Sequence, residues 1–319
     1  MRYLLRAMPE GHPDDYLLAR IRGRRAFLVA DWERLLLAPV PMAALPAAPW
    51  RTWLPTDGSD QPWRALQREY TRVFAAMEER LRRLFIPFFW MAELRTVAIC
   101  LRERDGGREA DVDLLRDSLM ASPLKAALRN ASGVGGAVEA LAAFLASGNR
   151  AFERLPQTFR DRGTGALEAD LNDISLEWFA GSSNHPHMAR FLGLLIDGRN
   201  LEALVKQLHW RMPALPHLIA GGTISLRTLE RLFKSGDAEG LARLTARVGG
   251  DVTGNRPEAV LKAVTSGEGK ILRRMGRDPE GIGTILDYLW RCGLEAHNVG
   301  LLSCLPVAGI DSVASEILQ

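Results

Sequence analysis

The chain has 319 residues, of which 47% are apolar and 25% charged, with a net charge of +3. This is the balance of a water-soluble globular protein, and it provides no global field to select nucleic acid. Cysteines 100, 292 and 304 are odd in number and have no paired spacing, which argues against a disulfide framework and for a reducing compartment.

Residues Met1 to Glu10 carry no apolar core of signal-peptide length. Asp14-Asp15 then open a helical pattern that runs to Leu28, since acids are favourable at a helix start. A short helix follows through Trp32, Leu35 and Leu36. Pro39, Pro41, Pro46, Pro49, Pro55 and Pro62 crowd a segment read as a non-helical but ordered connection that buries Trp50, Trp53 and Trp63. From about Trp63 to Arg104 the pattern is helical again, with a break or kink expected at Pro87 and a stop at Asp105-Gly106-Gly107. The apolar run Leu84 to Ala92 is far shorter than the ~20 residues that span a bilayer. Further helices are expected over 112–119, 136–147, 167–179, 188–210, 226–235, 238–248, 257–265 and 283–302. No alternation of β-branched residues points to strands, so the expected fold class is all-α.

One stretch organises the rest. Leu201, Leu204, Val205 and Leu208 form the apolar face of a helix, headed by Asp197 and, three residues on, Asn200. The pattern returns as Glu295 and Asn298, and in altered form as Glu93 and Thr96. The intervals are 197 − 93 = 104 and 295 − 197 = 98 residues. Each copy follows an apolar, aromatic-containing segment, at Phe88 to Met91, Phe191 to Leu194 and Tyr288 to Trp290. A helix stop and a new start follow the second copy at Gly221-Gly222 and Ser225, and the third at Pro306 to Gly309. These features divide the chain into three similar helical units, approximately 1–115, 116–217 and 218–319. Asp197 and Asn200 are read as structural groups that bond backbone of a neighbouring unit.

Other constellations are weighed and set aside. His185-Pro186-His187 lacks a third ligand at zinc spacing, and the loop reads as solvated. Gly133-Val134-Gly135-Gly136 and Gly281-Ile282-Gly283 lack the strand and the Lys-Ser/Thr of a phosphate loop, and read as turns or helix starts. Ser225, His217 and Asp237 lack the nucleophile elbow of a hydrolase. The basic runs Arg22/Arg24/Arg25, Arg80/Arg82/Arg83 and Arg273/Arg274/Arg277 read first as solvated helix faces. No catalytic, metal or cofactor site is expected.

The ordered motif set resembles the C/d family of central-stalk proteins in V/A-type rotary ATPases (ATP synthases), a family shared with the eukaryotic vacuolar enzyme. The resemblance rests on Tyr16, Ala19, Arg20, Ile21 and Arg22 in a Tyr-x-x-Ala-Arg-hydrophobic-Arg run; on Asp197, Asn200 and Leu201; on Gly221 and Gly222; on Asp278, Pro279 and Gly281; and on Glu295 with Asn298. Glu93 and Thr96 stand where Asp and Asn are usual, and the helix after Asn298 lacks the Arg or Lys often found there. The resemblance implies a funnel of three helical units around a pseudo-threefold axis, a non-catalytic central-stalk coupling in ATP-driven proton or sodium transport. Its implied partners are the central shaft and the membrane proteolipid ring, with a cytoplasmic location, membrane contact only through those partners, and no nucleic acid. The alternative classes are a helical scaffold and a nucleic-acid-binding protein outside the rotary ATPases. Against them stand a repeat longer than the ~20–45 residues of solenoid units and the lack of a clustered basic face.

Overall fold

A computed structural model describes residues 2–38, 41–45, 61–108, 112–248, 257–278, 281–303 and 309–318. The protein is all-α: among the described residues there are no strands, only an isolated antiparallel bridge between Leu5 and Met120. The helices are α1 (Asp14–Arg25), α2 (Trp32–Leu36), α3 (Pro41–Ala44), α4 (Gln61–Ala76), α5 (Glu79–Asp105), α6 (Val112–Asp117), α7 (Ser122–Asn130) and α8 (Gly133–Ala146). They continue as α9 (Leu155–Ser182), α10 (Pro186–His209), α11 (Leu226–Ser235), α12 (Ala238–Arg247), α13 (Pro257–Met275), α14 (Ile282–Ser303) and α15 (Ile310–Glu316).

The chain forms two compact units, each discontinuous in sequence. One comprises Met1–Pro13 and Gln67–Met188; the other comprises Asp14–Leu66 and Ala189–Gln319. These limits do not coincide with the three stretches read from the sequence.

In the first unit α5 packs against α8 and α9. Phe88, Phe89 and Trp90 are buried, and Tyr70, Phe74 and Phe88 meet Phe89 edge-on with ring centroids 5.0–5.9 Å apart. That geometry sets the positive ring edge against the negative face. The Trp90 indole N–H donates to Ser175 Oγ on α9 at 3.1 Å, satisfying a polar atom that the core would otherwise strand. By length and composition α5 could cross a membrane, but 67% of its apolar window is buried inside the protein, as in a core helix.

In the second unit α14 packs against α13 and α1. Val29, Trp32, Leu35 and Leu36 share one apolar cluster with Val299, Leu302, Val313 and Ile317. The apolar face read from Leu201, Leu204 and Val205 packs with Ile224, Leu229, Leu232, Leu241, Leu244, Val260 and Val264, and Leu208 lies against that cluster.

Several expectations are corrected. The break within 63–104 falls at Met77-Glu78, between α4 and α5, and α5 runs on through Pro87. Pro87 is buried inside the continuous helix, whereas the Met77-Glu78 break carries no Gly or Pro to announce it. The break is held by Arg82, read as part of a solvated run but only 6% exposed. Its guanidinium donates to the carbonyls of Phe74, Ala75, Met8 and Pro9, taking up the end of α4 and the N-terminal segment together. The proline-rich connection contains the short helix α3, and Pro62 sits in the first turn of α4, where its missing N–H costs nothing. Helix α7 is not among the elements expected from the sequence. Trp50, Trp53, Pro279, Cys304 and Pro306 to Ala308 lie outside the described residues.

Replacing Arg82 with Met is expected to destabilise the protein by about 3 kcal/mol, because several carbonyls lose a charged donor. Arg83→Met, which removes an exposed pair with Glu79, should cost less than about 0.5 kcal/mol. Urea melts of the two variants measure the difference.

Candidate functional site

Asp197 and Asn200 sit in the middle of α10 and are 0% and 1% exposed. The Asn200 amide bonds the backbone of one residue twice over: its Nδ2–H donates to the Ile219 carbonyl and the Ile219 N–H donates to its Oδ1, both at 2.8 Å. Asp197 accepts the N–H groups of Thr223 and Ile224, each at 3.0 Å, and also the Thr223 hydroxyl. Together they fasten the segment leading from α10 to α11.

The intervening turn is shaped for this contact. Gly221 has φ = 99°, in the left-handed region that favours glycine. A Cβ on Gly222 would stand 2.3 Å from Asp197 Oδ1, so only glycine lets the carboxylate come this close. Ser225 then caps α11 by accepting the Thr228 N–H at 3.3 Å.

Glu295 and Asn298, on α14, are 2% and 0% exposed. Asn298 repeats the two-point amide bond, donating to the Leu318 carbonyl at 2.7 Å and accepting from the Leu318 N–H at 2.9 Å. The sequence interval is 20 residues, against 19 for Asn200 and Ile219. Glu295 accepts the N–H of Val29, in the stretch between α1 and α2.

Glu93, on α5, accepts the Leu119 N–H at 2.6 Å and the Ser118 hydroxyl at 2.8 Å. That is 26 residues to Leu119, the same interval as Asp197 to Thr223. Thr96 makes no such clamp and instead accepts from the Gln67 amide at 2.8 Å. Each of the three pairs bonds groups of its own neighbourhood. Tyr16 lies elsewhere on the exposed face of α1, with the Arg20 guanidinium 5.6 Å above its ring.

The buried carboxylates are electrostatically costly. Burial raises Glu93 and Asp197 above the ordinary carboxylate range, although the hydrogen bonds each accepts oppose this. Sequence reasoning missed Glu268 on α13, which is buried and pushed up to about 8, first by burial and then by Asp197. Its carboxyl lies against α10 at Gly198, where a Cβ would approach Glu268 Oε1 to 2.7 Å. The signal was present, because Glu268 falls in the apolar stripe Val260, Val264, Ile271, Leu272 and Met275. Asp287 on α14 was missed for the same reason. It is 0% exposed and pairs with Arg25 at 2.5 Å, which removes Arg25 from the solvated run. Burial raises Asp287, and Arg25, Arg291 and Arg273 oppose that shift.

Two members of the discarded constellations are helix caps. Ser225 and Asp237 are N-caps of α11 and α12. The rings of His185 and His187 lie 5.6 Å apart, and among the described residues no three His, Cys, Asp or Glu side chains gather as a metal site. Comparison with known proteins gives no match to a family model and no match to a curated protein.

Asn200→Leu and Asn298→Leu should each destabilise the protein by about 1–3 kcal/mol per stranded peptide group, with similar losses in thermal melts. The pH dependence offers a separate check. Between about pH 4.5 and 8 the folded protein holds the Glu268 proton and the unfolded chain does not. Stability from this group therefore falls as pH rises through that window and is level above it. Glu268→Gln should melt increasingly above wild type from about pH 5 to about pH 8, with a constant difference beyond.

Proposed function

We propose that the chain is a non-catalytic central-stalk subunit of a V/A-type proton- or sodium-translocating rotary ATPase. In this reading three helical units, approximately 1–115, 116–217 and 218–319, surround a pseudo-threefold axis and form a funnel. One end rests on the membrane proteolipid ring and the opening receives the central shaft, so torque passes through the protein without chemistry. Its location is cytoplasmic and peripheral, with membrane contact through its partners.

The observation that carries the reading is the ordered motif set from Tyr16 to Asn298. Its most distinctive members, Asp197 with Asn200 and Glu295 with Asn298, are spent on backbone, the use expected of a rigid coupling and not of a reacting centre. Surface chemistry supports partner binding as well. Trp210, Met212 and Leu215 are 62%, 51% and 42% exposed within six residues, an apolar concentration of the kind interfaces cover.

Purification of the tagged protein from its source organism at native expression tests the proposal. A shaft protein and a proteolipid should be recovered with it, and Trp210→Ser should reduce that recovery. Recovery of neither with the unsubstituted protein overturns the functional reading.

A further inference from the structure

The chain is rich in arginine and poor in lysine, and one lysine is placed unlike the rest. Lys125 lies in the opening turn of α7, half-buried in the first unit, whereas Lys206, Lys234, Lys262 and Lys270 all belong to the second. Its Nζ donates to the backbone carbonyl of Ser118 at 2.5 Å, and the Arg116 carbonyl stands at 3.5 Å. Among the described residues it forms no ion pair with a carboxylate. By contrast Lys206 is paired with Glu202 at 2.5 Å, and Lys234 lies in the last turn of α11, where a cation is favourable.

The surroundings of Lys125 disfavour its charge. Neutral carbonyls hold the amine in place without the charge by which a carboxylate would keep it protonated. The start of α7 works against a cation as well, because the unsatisfied N–H groups there carry positive charge. Burial and then the like charge of Arg6, on the N-terminal segment, lower Lys125 to about 8, against the opposing pull of Glu93 on α5 and Asp117 on α6. A lysine desolvated beside a second cation is an activated nucleophile, because part of it is neutral amine near neutral pH.

We propose that Lys125 is a modification site, whose half-buried amine, held by neutral carbonyls near Arg6, takes a small acyl group from an acyl phosphate. The nitrogen lone pair attacks the acyl carbonyl carbon and a C–N bond forms. The C–O bond to phosphate breaks with its electron pair leaving on the phosphate, and the proton released from nitrogen passes to solvent. The product is a neutral amide, free of the penalty that burial and Arg6 place on the ammonium, and its N–H keeps one donor for the Ser118 carbonyl. The proposal is independent of the rotary-ATPase reading.

Brief exposure of the full chain to acetyl phosphate, with peptide mass spectrometry to give the initial acetylation rate at each lysine, tests it. At about pH 7.5 Lys125 should react about ten-fold faster than each of Lys206, Lys234, Lys262 and Lys270. Its rate should reach half of its plateau at about pH 8. Unfolding in guanidinium chloride should abolish the advantage, because it returns Lys125 to water. Arg6→Gln, first compared with wild type by circular dichroism and melting, removes a like charge, so Lys125 should react about three-fold more slowly at about pH 7.5 and its midpoint should rise. Reaction of Lys125 no faster than the other lysines in the folded wild-type protein overturns the proposal. So does an advantage that persists in the unfolded chain, a result that needs no variant, and so does an unchanged rate and midpoint in a folded Arg6→Gln protein.

Discussion

The constraint on which the rest depends is that segments without regular structure still need partners for their peptide groups. Helices satisfy their own backbone, but the links between them do not, and a buried peptide without a partner is expensive. Here the links are held by side chains reaching out of long helices. Asn200 and Asn298 each close a two-point bond on the backbone of a residue 19 or 20 positions later. An asparagine amide suits this task because it presents a donor and an acceptor side by side, matching the carbonyl and N–H of one residue. A leucine at either position would keep the packing and lose the anchor.

The acids do related work at greater electrostatic cost. A carboxylate can accept two or three N–H or O–H donors at once, and Asp197 takes all three that Thr223 and Ile224 offer. Burial disfavours its charge, and the buried Glu268 nearby adds a second ionisable group to the same region. A carboxyl held protonated against Gly198 is tolerated because neutrality removes most of the repulsion. Asp287 follows the other route, with Arg25, Arg273 and Arg291 balancing its charge. One buried acid is thus neutral and another is compensated by cations, within one unit of the same protein.

Much of this was legible in the sequence, and the failures have physical causes. Helix α11 is legible to the residue and α2 through its three buried positions, because apolar period and caps agree there. The second and third acid-x-x-Asn pairs are recognisable by spacing, but their particular partners are not, since a side chain's target 19 or more residues away leaves no local pattern. The Met77-Glu78 break is invisible because no Gly or Pro marks it, and the group that holds it, Arg82 four residues on, reads as a solvated charge. Arg82, Glu268 and Asp287 were misread or missed through one assumption: that charge means solvent. Their positions on apolar stripes were the contrary signal, and periodicity outweighs residue type when the two disagree.

The altered first pair shows what the anchoring requires. Glu93 is one methylene longer than Asp197, yet it still reaches an N–H 26 residues on and adds the Ser118 hydroxyl. Reach is therefore adjustable, because a longer acid can serve a backbone set slightly farther away. The two-point amide clamp is not adjustable in the same way. Thr96 carries a single hydroxyl on a short β-branched stem, cannot match both the N–H and the carbonyl of one residue as the amide does, and bonds Gln67 instead. What the clamp does for Ile219 and Leu318 is done near Met120 by the N-terminal segment, whose peptides at Leu4 and Arg6 bond Ala121 and Leu119. Backbone pairing has taken the place of a side chain.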